Sequence, residues 1–269
     1  MLYRERASVL ATLVVLGLIL AAFLQFPTWS YDLTVLGSPL TVNITQTALM
    51  AVLLVGITCA GTDTIVRSHP TARQIEARYS FVTWTLPALT VLLAAVLLPQ
   101  APTQLYRLAG YVLTGLILIL VISAEYYTVD PTDNLYLAAR MSINGWAYFL
   151  ALVIFVLIYS AKARSLVSAT GVTLVSTLLA LEFLRSAGRG FGRTALYALI
   201  AGLSTGEIIW AMNYWRVRGL TGGLILLLGF YVATGLANQQ LQGRLTRRVL
   251  VEYGIVALLG VAVLLRFGA

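Results

Sequence analysis

The chain has 269 residues, of which 59% are hydrophobic and only 10% charged, with a mean hydropathy of +0.89 and a net charge of +8. An ordinary soluble domain is about a quarter charged, so this composition excludes water as the medium around most of the polypeptide. The apolar residues come in continuous runs rather than alternating ones, which excludes a transmembrane β-barrel and leaves an all-α bundle of membrane-spanning helices.

The charge and the rare residue types narrow the function classes. Lys162 is the only lysine among 18 basic residues. The arginines lie in short segments between apolar runs, where anchoring to anionic lipid headgroups accounts for them. No stacking platform or recognition motif points to nucleic acid. The lone cysteine, Cys59, excludes an intrachain disulfide and any multi-cysteine metal site. The lone histidine, His69, excludes paired-histidine metal and haem sites. No histidine- or cysteine-based metal site is legible, and the sequence leaves any cofactor open.

In chain order, the first apolar run covers residues 7–26, behind a short basic start. It lacks a small-x-small cleavage site, so an uncleaved first span is expected rather than a signal peptide. Residues 27–44 are rich in β-branched residues and carry a turn signal at Gly37, Ser38 and Pro39. They predict a small hairpin or flap at the extracytoplasmic membrane surface, with Trp29 and Tyr31 suited to the interfacial belt. Further spans are expected over residues 45–66, 80–98, 106–125, 136–159, 165–185, 194–214, 219–237 and 249–265. Pro87 is placed to kink the third. Gly222, Gly229, Ala233 and Ala237 make a small-residue stripe on the eighth. Nine spans result, or eight if the last run lies along the interface. The whole chain then forms one integral membrane domain. With the N-terminus in the cytoplasm, 12 of the 18 basic residues fall inside, which favours an N-in, C-out topology.

Three constellations stand out against this apolar background. Glu207 is the deepest charge, about 4–5 Å from the middle of a span over residues 194–214 at 1.5 Å per residue. With Ser204, and Asn213 further along the helix, it is a candidate ion- or ligand-binding site, because a charge at membrane depth needs a partner, water or a proton. A protonated Glu bonded to a neighbouring helix is the plainer alternative. Glu182 and Arg185 have the i,i+3 spacing of a structural ion pair near a helix end. Asp63, Arg67, His69, Glu125, Asp130 and Arg140 share the cytoplasmic side. Such a set is able to hold a divalent ion with a phosphorylated or lipid-linked substrate, but solvated, capped turns explain the same residues.

The runs LGSPL (36–40), AGTDTIVRSHP (60–70), SAEYYTVDP (123–131) and LALEFLR (179–185) resemble an uncharacterised family of bacterial polytopic membrane proteins, a domain of unknown function. The resemblance implies a multi-pass helical fold and a bacterial inner membrane, and implies no chemistry. Three functions stay open: a small-molecule or ion permease using Glu207, a structural or assembly subunit of a membrane complex, and an enzyme acting on a lipid-linked substrate at the cytoplasmic face. The expected partners are membrane lipids and other membrane proteins, with a small-molecule ligand unspecified.

Overall fold

The computed structural model describes residues 2–24, 27–35, 38–71, 77–187, 190–215 and 217–268. Among them are nine helices long and apolar enough to cross a membrane: α1 (Leu2–Phe23), α2 (Gln46–Arg67), α3 (Thr85–Leu97), α4 (Gln104–Tyr127), α5 (Tyr136–Ser160), α6 (Ser165–Leu184), α7 (Phe191–Met212), α8 (Gly219–Leu241) and α9 (Arg247–Gly268). A 3-10 stretch, Ala77–Trp84, leads into α3 and completes the third candidate span. Pro87 sits in the first turn of α3 rather than kinking its middle. A proline costs least there, because the first-turn N–H groups have no helical partner.

Between α1 and α2 the chain forms an antiparallel hairpin, β1 (Trp29–Val35) and β2 (Ser38–Ile44), in register from Trp29 opposite Ile44 to Val35 opposite Ser38. Ser38 and Pro39, expected in the turn, belong to β2, and Gly37 lies outside the described residues. Trp29 and Tyr31 are exposed.

The chain divides into two compact units. The first comprises residues 1–76 and 86–143. In it α1 packs on both α2 and α4, around a core that includes Val14, Leu54, Val91, Leu118 and Ile122. Small residues let these helices close on one another. A Cβ on Gly17 would meet Leu54 at 2.4 Å, and one on Gly61 would meet Leu10 at 2.5 Å. Between lipid-immersed helices, close packing of this kind takes over the role that water exclusion plays in soluble cores.

The second unit comprises residues 77–85 and 144–269. The helices α6, α7, α8 and α9 pack in sequence order, with α6 against α7 the most extensive pairing. Phe155, Tyr159, Leu179, Leu184 and Phe230 are fully buried, and Tyr148, Phe183 and Phe230 cluster ring on ring. No part of the α9 span is buried; the helix meets α8 through Tyr253, whose ring lies 5.9 Å from that of Tyr231.

Buried threonines show how polar side chains survive in these spans. Thr58, Thr90, Thr205 and Thr234 each donate to the carbonyl four residues earlier, at 2.7–2.8 Å. The hydroxyl is satisfied inside its own helix, so burial costs little.

Candidate functional site

Glu207 is exposed on α7. It belongs to a stripe with Leu196, Ile200, Leu203, Trp210 and Tyr214, all exposed. The opposite face of α7 is closed against α6, where a Cβ on Gly202 or Gly206 would lie 2.0 Å from the hydroxyl of Thr177 or Thr173. Because α7 runs Phe191–Met212, Glu207 stands about 8 Å from its middle at 1.5 Å per residue. That is shallower than the sequence register implied. Ser204 is half-buried one turn away. Asn213 is the C-cap of α7, and its amide donates to Ser168 Oγ on α6 at 2.8 Å.

Glu182 is completely buried near the end of α6, with Arg185 Nε 3.0 Å from its Oε1. The carboxylate faces a cation of its own helix end, the arrangement of a structural ion pair.

The six residues of the predicted polar cluster all fall in the first unit. Asp63 and Arg67 form an i,i+4 ion pair at 2.7 Å. Glu125 and Arg140 are buried and both are partnered. His69 keeps its Nδ1 on the hydroxyl of Thr71 at 2.8 Å and lays its ring edge-on to Tyr126, 4.6 Å between centroids. Tyr126 in turn stacks on Tyr3 at 4.2 Å. The hydroxyls of Tyr3 and Tyr127 hydrogen-bond each other, and Arg4 Nε donates to Tyr3 at 2.9 Å. Asp130 accepts from the backbone N–H of Thr132 at 2.9 Å and from its hydroxyl at 2.7 Å. These hydrogen bonds, with a smaller contribution from the charge of His69, hold the Asp130 carboxyl below its ordinary pKa. Among the described residues no three His, Cys, Asp or Glu side chains gather closely enough to hold a metal ion. The arrangement ties the start of α1 to the end of α4, with an aromatic seam between them.

Sequence reasoning missed one feature, a cavity of about 420 Å³ in the first unit. It opens where α1 and α3 end and α2 and α4 begin. Arg107, Gln46 and Tyr111 line it together with Leu18, Leu54 and Leu98. The only legible signal was an arginine one turn inside an apolar run, directly after a proline-punctuated turn.

Nine candidate spans among the described residues, several with buried threonines bonded within their own helix, define a polytopic α-helical integral membrane protein. Residues 26–267 match the family described as protein of unknown function (DUF5656), and the chain belongs to that family. No curated protein matches the chain, and no solved structure does.

Proposed function

We propose that this protein is a subunit of a larger membrane assembly, docking a neighbouring transmembrane helix on the outward face of α7. The supporting observation is Glu207, an exposed carboxylate inside a candidate span and flanked by Leu203 and Trp210. In a helix centred on the bilayer it lies inside the roughly 30 Å hydrocarbon layer. A charge there is costly and faces protein more often than lipid. The occupant that fits is a helix presenting Lys, Arg or a polar hydrogen-bond donor at the depth of Glu207. The bias of arginines toward one set of loops supports placing the N-terminus in the cytoplasm, and the family resemblance supports a bacterial inner membrane.

A second reading, small-molecule or ion transport, is favoured by the cavity at Arg107. On that reading Arg107, rather than Glu207, is the ligand-facing residue.

Photo-crosslinkers introduced at Leu196, Ile200 and Leu203 test the docking reading, with Leu258 on α9 as control. Adducts to a polypeptide from the α7 positions, carrying a donor residue at matching depth and lost in Glu207→Ala, are the expected result. Adducts to lipid alone, or equal labelling from Leu258, would remove its basis.

A further inference from the structure

The cavity in the first unit has the electrostatics of an anion site and the walls of a lipid site. Arg107 is half-buried, and its Nε is shielded from solvent with no hydrogen-bond partner. An orphaned donor on a charged group is expensive, and a ligand acceptor would satisfy it. Among the described residues no carboxylate lines the cavity. The N-termini of α2 and α4 both reach this end, adding the positive ends of two helix dipoles. The opposing carbonyls at the end of α1 are occupied, since Gln46 donates its side-chain amide to those of Ala21 and Leu24. The C-terminal ends of α1 and α3 oppose those two dipoles, so it is the guanidinium of Arg107 itself that favours negative charge here.

The remaining wall is apolar. Leu18, Leu54 and Leu98 line the cavity beyond the polar end. Leu18 and Leu54 lie further inside their spans than Gln46 or Arg107 lies inside its own, so the pocket turns from polar to apolar with depth. About 420 Å³ is within the usual range for small-molecule sites and exceeds what a lone ion needs.

We propose that this cavity binds an anionic amphiphile, with a phosphate-type headgroup on Arg107 and an alkyl chain along Leu18, Leu54 and Leu98. The same chemistry is offered by a membrane phospholipid or, in part, by a soluble phosphate. The proposal is independent of the docking face on α7, so either one stands if the other fails.

The test is native mass spectrometry of the full-length protein in a neutral detergent. The probes are dioleoyl phosphatidylglycerol, dioleoylglycerol and inorganic phosphate. Phosphatidylglycerol is expected to be retained over both other probes, with about tenfold weaker retention in Arg107→Gln, as the loss of a charge-assisted hydrogen bond implies. Ala22→Trp, which fills the cavity while leaving Arg107 in place, is expected to lose the lipid as well. That second variant keeps the test decisive if Arg107→Gln fails to fold. Equal retention by wild type and both folded variants would overturn the site. Inorganic phosphate binding as well as the lipid would overturn the amphiphile, and dioleoylglycerol binding as well would overturn the role of Arg107.

Discussion

Glu182 and Arg185 meet at 3.0 Å, with the carboxylate completely shielded and the guanidinium 14% exposed. Glu182 lies in the last turn of α6 and Arg185 caps its C-terminus, so one short stretch of chain holds a buried carboxylate beside a cation. Removing one partner of a buried pair costs about 3–5 kcal/mol, whereas replacing both with apolar residues of similar volume is often neutral. Arg185→Ala is therefore expected to lower stability by about 3 kcal/mol. The double change Glu182→Leu with Arg185→Met should be milder than either single change. Thermal unfolding in detergent micelles measures the ranking, and additive losses in the double variant would show that the two side chains act separately.

The α6–α7 contact is set by glycines. A Cβ on Gly202 would lie 2.0 Å from Thr177 Oγ1 and 2.8 Å from the Thr173 carbonyl oxygen. The threonine cannot simply rotate away, because its hydroxyl donates to that same carbonyl at 2.7 Å. Gly202→Val must push the helices apart, and a loss of about 2–3 kcal/mol is expected from overpacking. A variant that melts with the wild type would show that α6 and α7 do not pack through this stripe.

Span count was legible because hydrocarbon thickness imposes it: any run of about twenty apolar residues must become helix. Ends were less legible. The eighth run stopped at Ala237 on composition, yet α8 continues through Asn238, Gln239 and Gln240 to Leu241, since a helix keeps its backbone bonds after it leaves the apolar layer. A shift of a few residues also mattered for Glu207, which moved outward as α7 began and ended earlier than its apolar run suggested. The small-residue stripe on the eighth run was legible but its partners were not: Gly222 meets Tyr159 of α5 and Gly229 meets Ile208 of α7. The Arg107 cavity was out of reach, because it exists only where the ends of four helices converge.

Tyr159 joins α5 to the end of α7. Its ring is 1% exposed, and its hydroxyl donates to the Trp215 carbonyl at 3.0 Å. Tyr159→Phe keeps the packing and deletes the bond, so a loss of about 1 kcal/mol is expected in the same melting assay. A loss several times larger would mean that the ring had moved from its place against Gly222.

Asp130 gives a pH-dependent signature outside the membrane spans. Its carboxyl is held below the ordinary value chiefly by the hydroxyl and backbone N–H of Thr132. A depressed folded-state pKa contributes stability that is present above the unfolded pKa and is lost as pH falls through the folded one. The carboxyl carbon of Asp130, followed by NMR, should titrate below the ordinary aspartate value of 3.8, and Thr132→Val should move it upward. A midpoint at or above 3.8 in the wild type would show that the loop hydrogen bonds are not formed in solution.

The two glutamates of the α6–α7 pair should respond oppositely to the same substitution. Glu182→Leu removes the carboxylate 3.0 Å from Arg185 and should destabilise the protein. Glu207→Leu removes an exposed carboxylate from an apolar stripe, and in the isolated protein it should raise the melting temperature by the equivalent of about 1 kcal/mol, a fraction of the full cost of a charge at the bilayer centre. If the outward face of α7 docks a partner, the same change weakens that association while the subunit itself becomes more stable. The separation of the two readouts is the diagnostic. A Glu207→Leu protein that melts earlier than wild type would place the carboxylate in the protein's own fold rather than at its boundary with another chain.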